Sequence, residues 1–381
     1  MFRKILFFFH LIINSKFIWR KPKKSDILIF DINGYEYFAK YLESYNKHIL
    51  FSRSEVINIQ IFLKIIFKKG LKSNNYFDLY INIISPKLII TFTDNNPYFY
   101  KIKNTYPEIK TLFIQNGWRG YYADIFEKLE KDKNNNYYVD YMLVFGETIA
   151  NHYKKYIIGK SINLGSLKNN LVPIIKTNKI YSITYVSQWS KGGLEMNGKF
   201  YDNYAFFTQF DKPILHFLLK YTEEKKMNLA ILPRYNHNSN EFIHEKKYFK
   251  SLMQGNTNFI YIKDRLSSYK VGDQSNIVVG IDSTILYEFL GRGIKTAFFS
   301  IRSQGLNLPG LTFGWPKDYE KIGDFWTNEF NIETFTIILD NLFLMDKEKW
   351  ENILLKNNIN ELMFYDYDNS TLKKILIKEL T

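Results

Sequence analysis

The chain has 381 residues, 46% of them hydrophobic, enough for two cores of ordinary domain size. It contains no cysteine, which excludes disulfides, zinc–thiolate sites and thiol nucleophiles, and its six histidines show no HExxH or other metal-ligand spacing, so no bound metal is expected. The formal charge of +14, from 52 Lys and Arg against 38 Asp and Glu, favours anionic partners. The basic residues are nevertheless dispersed, with no RNA-recognition signature, basic-helix motif or zinc finger, so nucleic acid is not expected among those partners.

Residues 1–24, "MFRKILFFFHLIINSKFIWRKPKK", mix apolar and aromatic residues with a dense basic tail, and charges interrupt any run long enough to span a bilayer. The stretch has no small-residue cleavage site. It reads as a basic amphipathic helix lying on an anionic membrane surface, or else packed on the body of the protein. With no spanning segment elsewhere, a cytoplasmic protein, peripheral at the inner face of the membrane, is expected.

Past Pro22 short apolar runs alternate with helical patterns. Strands are predicted at 26–31, 48–52, 87–93, 110–117, 140–146 and 160–166, with helices at 34–45, 57–67, 76–84 and 96–106, the last opened by Asn96 and Pro97. Residues 166–179, which contain Pro173 and lack periodicity, read as a linker. The pattern then restarts with strands at 181–189, 228–234, 258–262, 276–281 and 294–300 and helices at 212–225, 241–253, 332–345 and 370–380. Alternation of this kind predicts an α/β protein of two Rossmann-like parallel-sheet domains facing each other across a cleft. The expected boundaries are 25–170 for an acceptor domain, 171–360 for a nucleotide-donor domain, and 361–381 for a final helix that crosses back to the first.

In such a fold the functional groups follow the strands. "GIDSTILYEFLGRG", residues 280–293, puts Asp282, Ser283 and Thr284 at a strand's carboxyl end and a helix's amino end, where free N–H groups and the helix dipole favour phosphate. The same three residues also suit a plain helix cap. Glu288, one turn on, fits ribose hydroxyls or an ordinary solvated face. Gln188, Arg234 and His237 follow other strands of this half, and Arg234 suits either a departing diphosphate or a surface ion pair. In the first half Asp31 and Asp94 follow strands. Asp94 suits a general base acting on an acceptor hydroxyl, or a relative of the helix cap. Asn95 and the stretch Gln115, Asn116, Gly117, Trp118 and Arg119 are candidate acceptor-binding residues, with Trp118 serving as a sugar platform or as core.

The segments "KPKKSDILIFD", "FTDNNPYFY", "IQNGWRGYY", "YMLVFGE" and "GIDSTILYEFLGRGIKTAFFSIR" together resemble a bacterial surface carbohydrate biosynthesis protein family over nearly the whole chain. The "DST…E…G" element is also similar to the donor-binding segment of GT-B enzymes, including CDP-glycerol glycerophosphotransferases and the UDP-N-acetylglucosamine 2-epimerase group. Many relatives carry Gln-His-Gly or Trp-His-Gly after the fourth strand, with the histidine as base; here that position is Asn116, whose amide does not titrate near neutral pH. The resemblance implies a metal-independent, GT-B-like glycosyltransferase that transfers a sugar from a nucleotide-sugar donor to a glycan or lipid-linked glycan acceptor, with no permanently bound cofactor. Asp94 is then the first choice of base and Asp31 the second. Transfer of a polyol phosphate from a CDP-linked donor, and a non-catalytic nucleotide- or glycan-binding assembly module, are the alternatives.

Overall fold

The computed structural model describes residues 15–68, 73–122, 124–132, 136–196, 198–253 and 258–381. Its strands, in chain order, are β1 (Lys16–Ile18), β2 (Ile27–Phe30), β3 (Lys47–Leu50), β4 (Val56–Asn58), β5 (Leu88–Thr91), β6 (Lys110–Ile114), β7 (Tyr137–Val144) and β8 (Ile157–Asn163) in the first half. The second half holds β9 (Tyr181–Val186), β10 (Leu194–Met196), β11 (Lys199–Tyr201), β12 (Leu229–Leu232), β13 (Asn258–Phe259), β14 (Ser275–Gly280), β15 (Thr296–Phe299) and β16 (Trp326–Thr327).

Two six-stranded sheets carry the architecture, ordered β3-β2-β5-β6-β7-β8 and β13-β12-β9-β14-β15-β16, and every pairing within them is parallel. The central strands, "ILIF", "LIIT" and "LAIL" among them, are buried at every position, as expected where helices cover both faces of a parallel sheet. In the second sheet the strand order reverses between β9 and β14, the switch point beside which open α/β sheets bind ligands.

The final helix, Ser370–Leu380, returns to the first sheet and lays Leu372, Ile375 and Leu376 on Ile27, Leu88, Ile90 and Leu112. Approaching it, the chain bridges Tyr365 to Gly165, where φ is +75° and a Cβ would collide with the Phe364 carbonyl, so only glycine fits.

Several elements depart from the pattern reading. Residues 34–45 form two short 3₁₀ turns, Tyr35–Tyr37 and Ala39–Leu42, instead of one helix, and this lets Phe38 and Leu42 both pack onto the sheet. Residues 1–14, most of the proposed amino-terminal helix, lie outside the described residues. Of the remainder, Lys16–Ile18 is a strand paired with β4, in keeping with the strand propensity of Phe17 and Ile18. The linker segment opens with a buried helical turn, Leu167–Asn170, capped by Ser166, because Asn169 and Asn170 have long-range partners to satisfy. The β10–β11 hairpin and β16 lack a recognisable apolar run.

Candidate functional site

The carboxyl ends of both sheets border a cleft of about 570 Å³, within the range of small-molecule sites. On the second half it is lined by the loops after β9, β12, β14 and β15 together with the helix Thr284–Gly291. Asn116, Trp118, Gly120, Tyr122 and Asp124, all after β6, close the other side.

Ser283 and Thr284 open that helix at the switch point, and Ser283 makes no side-chain capping bond to the helix. The Thr284 hydroxyl accepts the Trp118 N–H at 2.8 Å, and the Trp118 ring stacks on Tyr287 at 3.6 Å and 2°. These contacts seat the two halves on one another beside the cleft. Glu288, 2% exposed, accepts from the Ser166 hydroxyl on one carboxylate oxygen and from the Tyr269 hydroxyl at 2.9 Å on the other. Burial, strengthened by the Glu288 charge, pushes the Tyr269 phenol well above its ordinary value, so it stays a donor.

Asp282 is ion-paired with Arg302 at 2.7 Å, and the same Arg302 nitrogen reaches the Gln188 side chain, also at 2.7 Å. Arg234 extends over the loop after β12 and bonds the Gln188 carbonyl at 3.1 Å. That loop is clamped from beneath by buried Glu245, which accepts from the backbone N–H groups of Arg234 and Tyr235 and from the Ser187 hydroxyl.

The first half is organised around Arg119, which is buried. It donates to both carboxylate oxygens of Asp94, to Asn116 Oδ1, and at 3.4 Å to Asp124. Asp94 is 0% exposed and also accepts from Tyr153 Oη at 2.7 Å and Asn116 N–H at 3.2 Å. Asp124 differs: it caps the helix Ile125–Lys131 by accepting the Ile125 N–H at 2.8 Å, yet it lines the cleft. Burial pushes its carboxyl above the ordinary value, against the pull of Arg119.

Among the residues predicted from sequence, the cleft gathers Asn116, Trp118, Gln188, Arg234, Asp282, Ser283, Thr284 and Glu288. It does not gather the two expected bases. Asp94 is sealed by its partners, so it has no oxygen to offer a substrate, and Asp31 pairs with Arg53 at 3.0 Å while also accepting from Ser52 and the Asn33 N–H. Gln115 is turned inward to bond Gly117 and Phe145, Arg119 is committed to Asp94, and His237 Nδ1 bonds the Ile262 carbonyl at 2.7 Å. Asn95 and Gly117 do not line the cleft, although a Cβ on Gly117 would sit 3.6 Å from Thr284 Oγ1. Sequence reasoning missed Asp124, Arg302, Ser166 and Tyr269. Arg302 follows β15 directly and was open to the same strand-end rule, whereas the other three are brought in by loops and short helices without a motif.

Two doubly wound parallel sheets with a shared cleft at their carboxyl ends define a GT-B-like protein. A family model described as "putative O-antigen biosynthesis protein" matches residues 112–380, and the chain belongs to that family. It is thus a GT-B-like protein of surface carbohydrate biosynthesis. No curated protein matches the sequence. Among solved structures, the UDP-GlcNAc 2-epimerase of Methanocaldococcus jannaschii is similar with a TM-score of 0.53 at 9% identity, covering 92% of this chain and 99% of that one. The UDP-GlcNAc 2-epimerase of Neisseria meningitidis gives 0.51 at 12% identity, covering 93% and 98%. The wall teichoic acid polymerase TagF gives 0.52 at 12% identity, covering 94% and 90%. At such identities the likeness is one of fold.

Proposed function

We propose that the protein is a glycosyltransferase that moves a sugar from a nucleotide-activated donor onto a surface glycan or its lipid-linked precursor. The observation that carries this reading is the placement of Ser283, Thr284 and Glu288 on one helix at the switch point, with Arg234 beside them and Asn116 and Trp118 across the cleft. The helix N–H groups and the Ser283 and Thr284 hydroxyls take phosphate oxygens, and Arg234 neutralises charge as the nucleoside diphosphate departs. Glu288, held in place by Ser166 and Tyr269, takes ribose hydroxyls with its remaining lone pairs. The similar structures agree in ligand class: the two epimerases were solved with UDP-GlcNAc, and TagF was solved with CDPG.

Calorimetric titration with UDP, CDP, GDP and dTDP tests the donor site. One of them is expected to bind, with about tenfold loss of affinity in Ser283→Ala and in Glu288→Gln, a change of roughly 1.4 kcal/mol. No binding by any of the four would sink the reading. A transfer product that gains phosphorus by mass spectrometry would instead establish polyol-phosphate transfer from a CDP-linked donor.

The same reading places the protein at the inner membrane face. Among the described residues no helix is long and apolar enough to cross a membrane. Phe17, Ile18 and Trp19 are exposed next to Lys16, Arg20, Lys21, Lys23 and Lys24, a combination suited to anionic lipid at about 1 kcal/mol per basic residue. Co-sedimentation with phosphatidylserine vesicles, but not with phosphatidylcholine vesicles, is expected, with loss of binding in Trp19→Ser combined with Lys23→Glu and Lys24→Glu.

A further inference from the structure

With Asn116 where a titratable group is expected and Asp94 sealed, the cleft still needs a group to take the acceptor's proton. Among the described residues that line it, the carboxylates are Asp124, Asp282 and Glu288, and no histidine is present. Asp282 pairs with Arg302 through one oxygen and keeps the other without a partner among the described residues, and Glu288 accepts from Ser166 and Tyr269, but both belong to the half that carries the donor helix, away from an acceptor on the opposite half. Asp124 lies on the opposite half, on the same post-β6 segment as Asn116 and Trp118.

We infer that Asp124 is the general base of the transfer reaction, accepting the proton of the acceptor hydroxyl. The inference rests on the glycosyltransferase reading given above. In the step, the acceptor oxygen forms its bond to the anomeric carbon as its proton passes to the Asp124 carboxylate. The bond from that carbon to the phosphate oxygen breaks, and the nucleoside diphosphate leaves with the electron pair. The protonated Asp124 then returns its proton to water, so acceptor and donor give glycoside, nucleoside diphosphate and one proton.

The surroundings of Asp124 suit this work. Its carboxylate is fixed by the Ile125 N–H, so it is oriented before substrate arrives. The charged and titratable groups that face it are Arg119, at 3.4 Å, and beyond that Asp94 and the Tyr100 phenol. Arg119 spends its strongest bonds on Asp94 and makes only a long contact to Asp124, while burial and the Asp94 charge both raise the proton affinity of the Asp124 carboxyl. A base is more effective when its proton affinity lies closer to the working pH. Asp94 thereby acts at one remove, as the anchor that holds Arg119 and keeps it from neutralising Asp124.

The test exploits the cap. Asparagine caps helices as well as aspartate does, so Asp124→Asn removes the titrating group while keeping the bond to Ile125. The full-length variant, assayed with the nucleotide-sugar formed from whichever nucleotide the titration selects, is expected to lose at least about 100-fold in kcat. Its nucleoside diphosphate affinity should stay within about twofold, and the acid limb of its pH–rate profile should disappear. Asp124→Ser, which also caps, leaves room for formate, and added formate is expected to restore turnover in that variant and not in wild type. Turnover in Asp124→Asn within a few-fold of wild type, or a loss explained by a matching fall in nucleotide affinity, would overturn the assignment. A wild-type protein that binds nucleotide yet transfers nothing would overturn it too. Failure of wild type to bind any nucleotide would remove the functional reading itself, an outcome separable because it is read without the Asp124 variants.

Discussion

Asp94 and Asp282 hold equivalent positions in the two halves, each just past a central parallel strand and each paired with an arginine from elsewhere in the same half, yet they have opposite surroundings. Asp94 and Arg119 are enclosed by Tyr100, Tyr153 and Asn116, whereas Asp282 and Arg302 border the cleft with Gln188 above them. An acid after a strand is therefore only an address. What it does is decided by how many donors the rest of the half supplies, and the first half supplies enough to close the site.

The largest expected effect comes from breaking the sealed pair. Asp94→Ala leaves Arg119 charged and buried, and should lower stability by about 3–5 kcal/mol in denaturant unfolding. In the cleft, Asp282→Ala should cost less, about 1–3 kcal/mol, because Arg302 keeps its bonds to Gln188 and the Phe206 carbonyl, but it should weaken donor binding, which titration reads directly. Equal destabilisation by the two would erase the contrast. Smaller again is the seam between the regions. Thr284→Val removes the acceptor of the Trp118 N–H and should cost about 1 kcal/mol while reducing donor affinity.

The smallest effect is in pH dependence, and it belongs to the first half. Among the described residues the ring nitrogens of His152 have no hydrogen-bond partner, and burial, aided by Lys155, holds its imidazole down to about 4. A group whose proton affinity falls on folding contributes stability that is present above the unfolded value near 6.5 and lost as pH falls toward 4. The drop in melting temperature between pH 7 and pH 5 should thus be shallower in His152→Phe than in wild type.

All strands of the two sheets except the edge strand β16 were legible because each is a short apolar run bounded by turn residues, and the helix start at Asn96–Pro97 was legible because capping is local: the Asn96 side chain does accept the Tyr98 N–H, at 3.1 Å. The tyrosine-rich 34–45 segment was misread because helical periodicity there serves two short turns docked on a sheet. In the site, Ser283, Thr284 and Glu288 were legible as one helix end. The sealing of Asp94 was not, since its burial depends on Arg119 and Tyr153, which lie 25 and 59 residues away, and no local pattern encodes those pairings.

The return of Ser370–Leu380 to the first sheet also bears on the order in which the molecule can be made. The face formed by Ile27, Leu88, Ile90 and Leu112 gains the cover of Leu372, Ile375 and Leu376 only after the entire second half has been synthesised. On the ribosome the second half can close around its own strands while this face of the first has only the cover of its own Phe38, Leu42 and Leu167. The earliest-translated half is therefore the last to be finished.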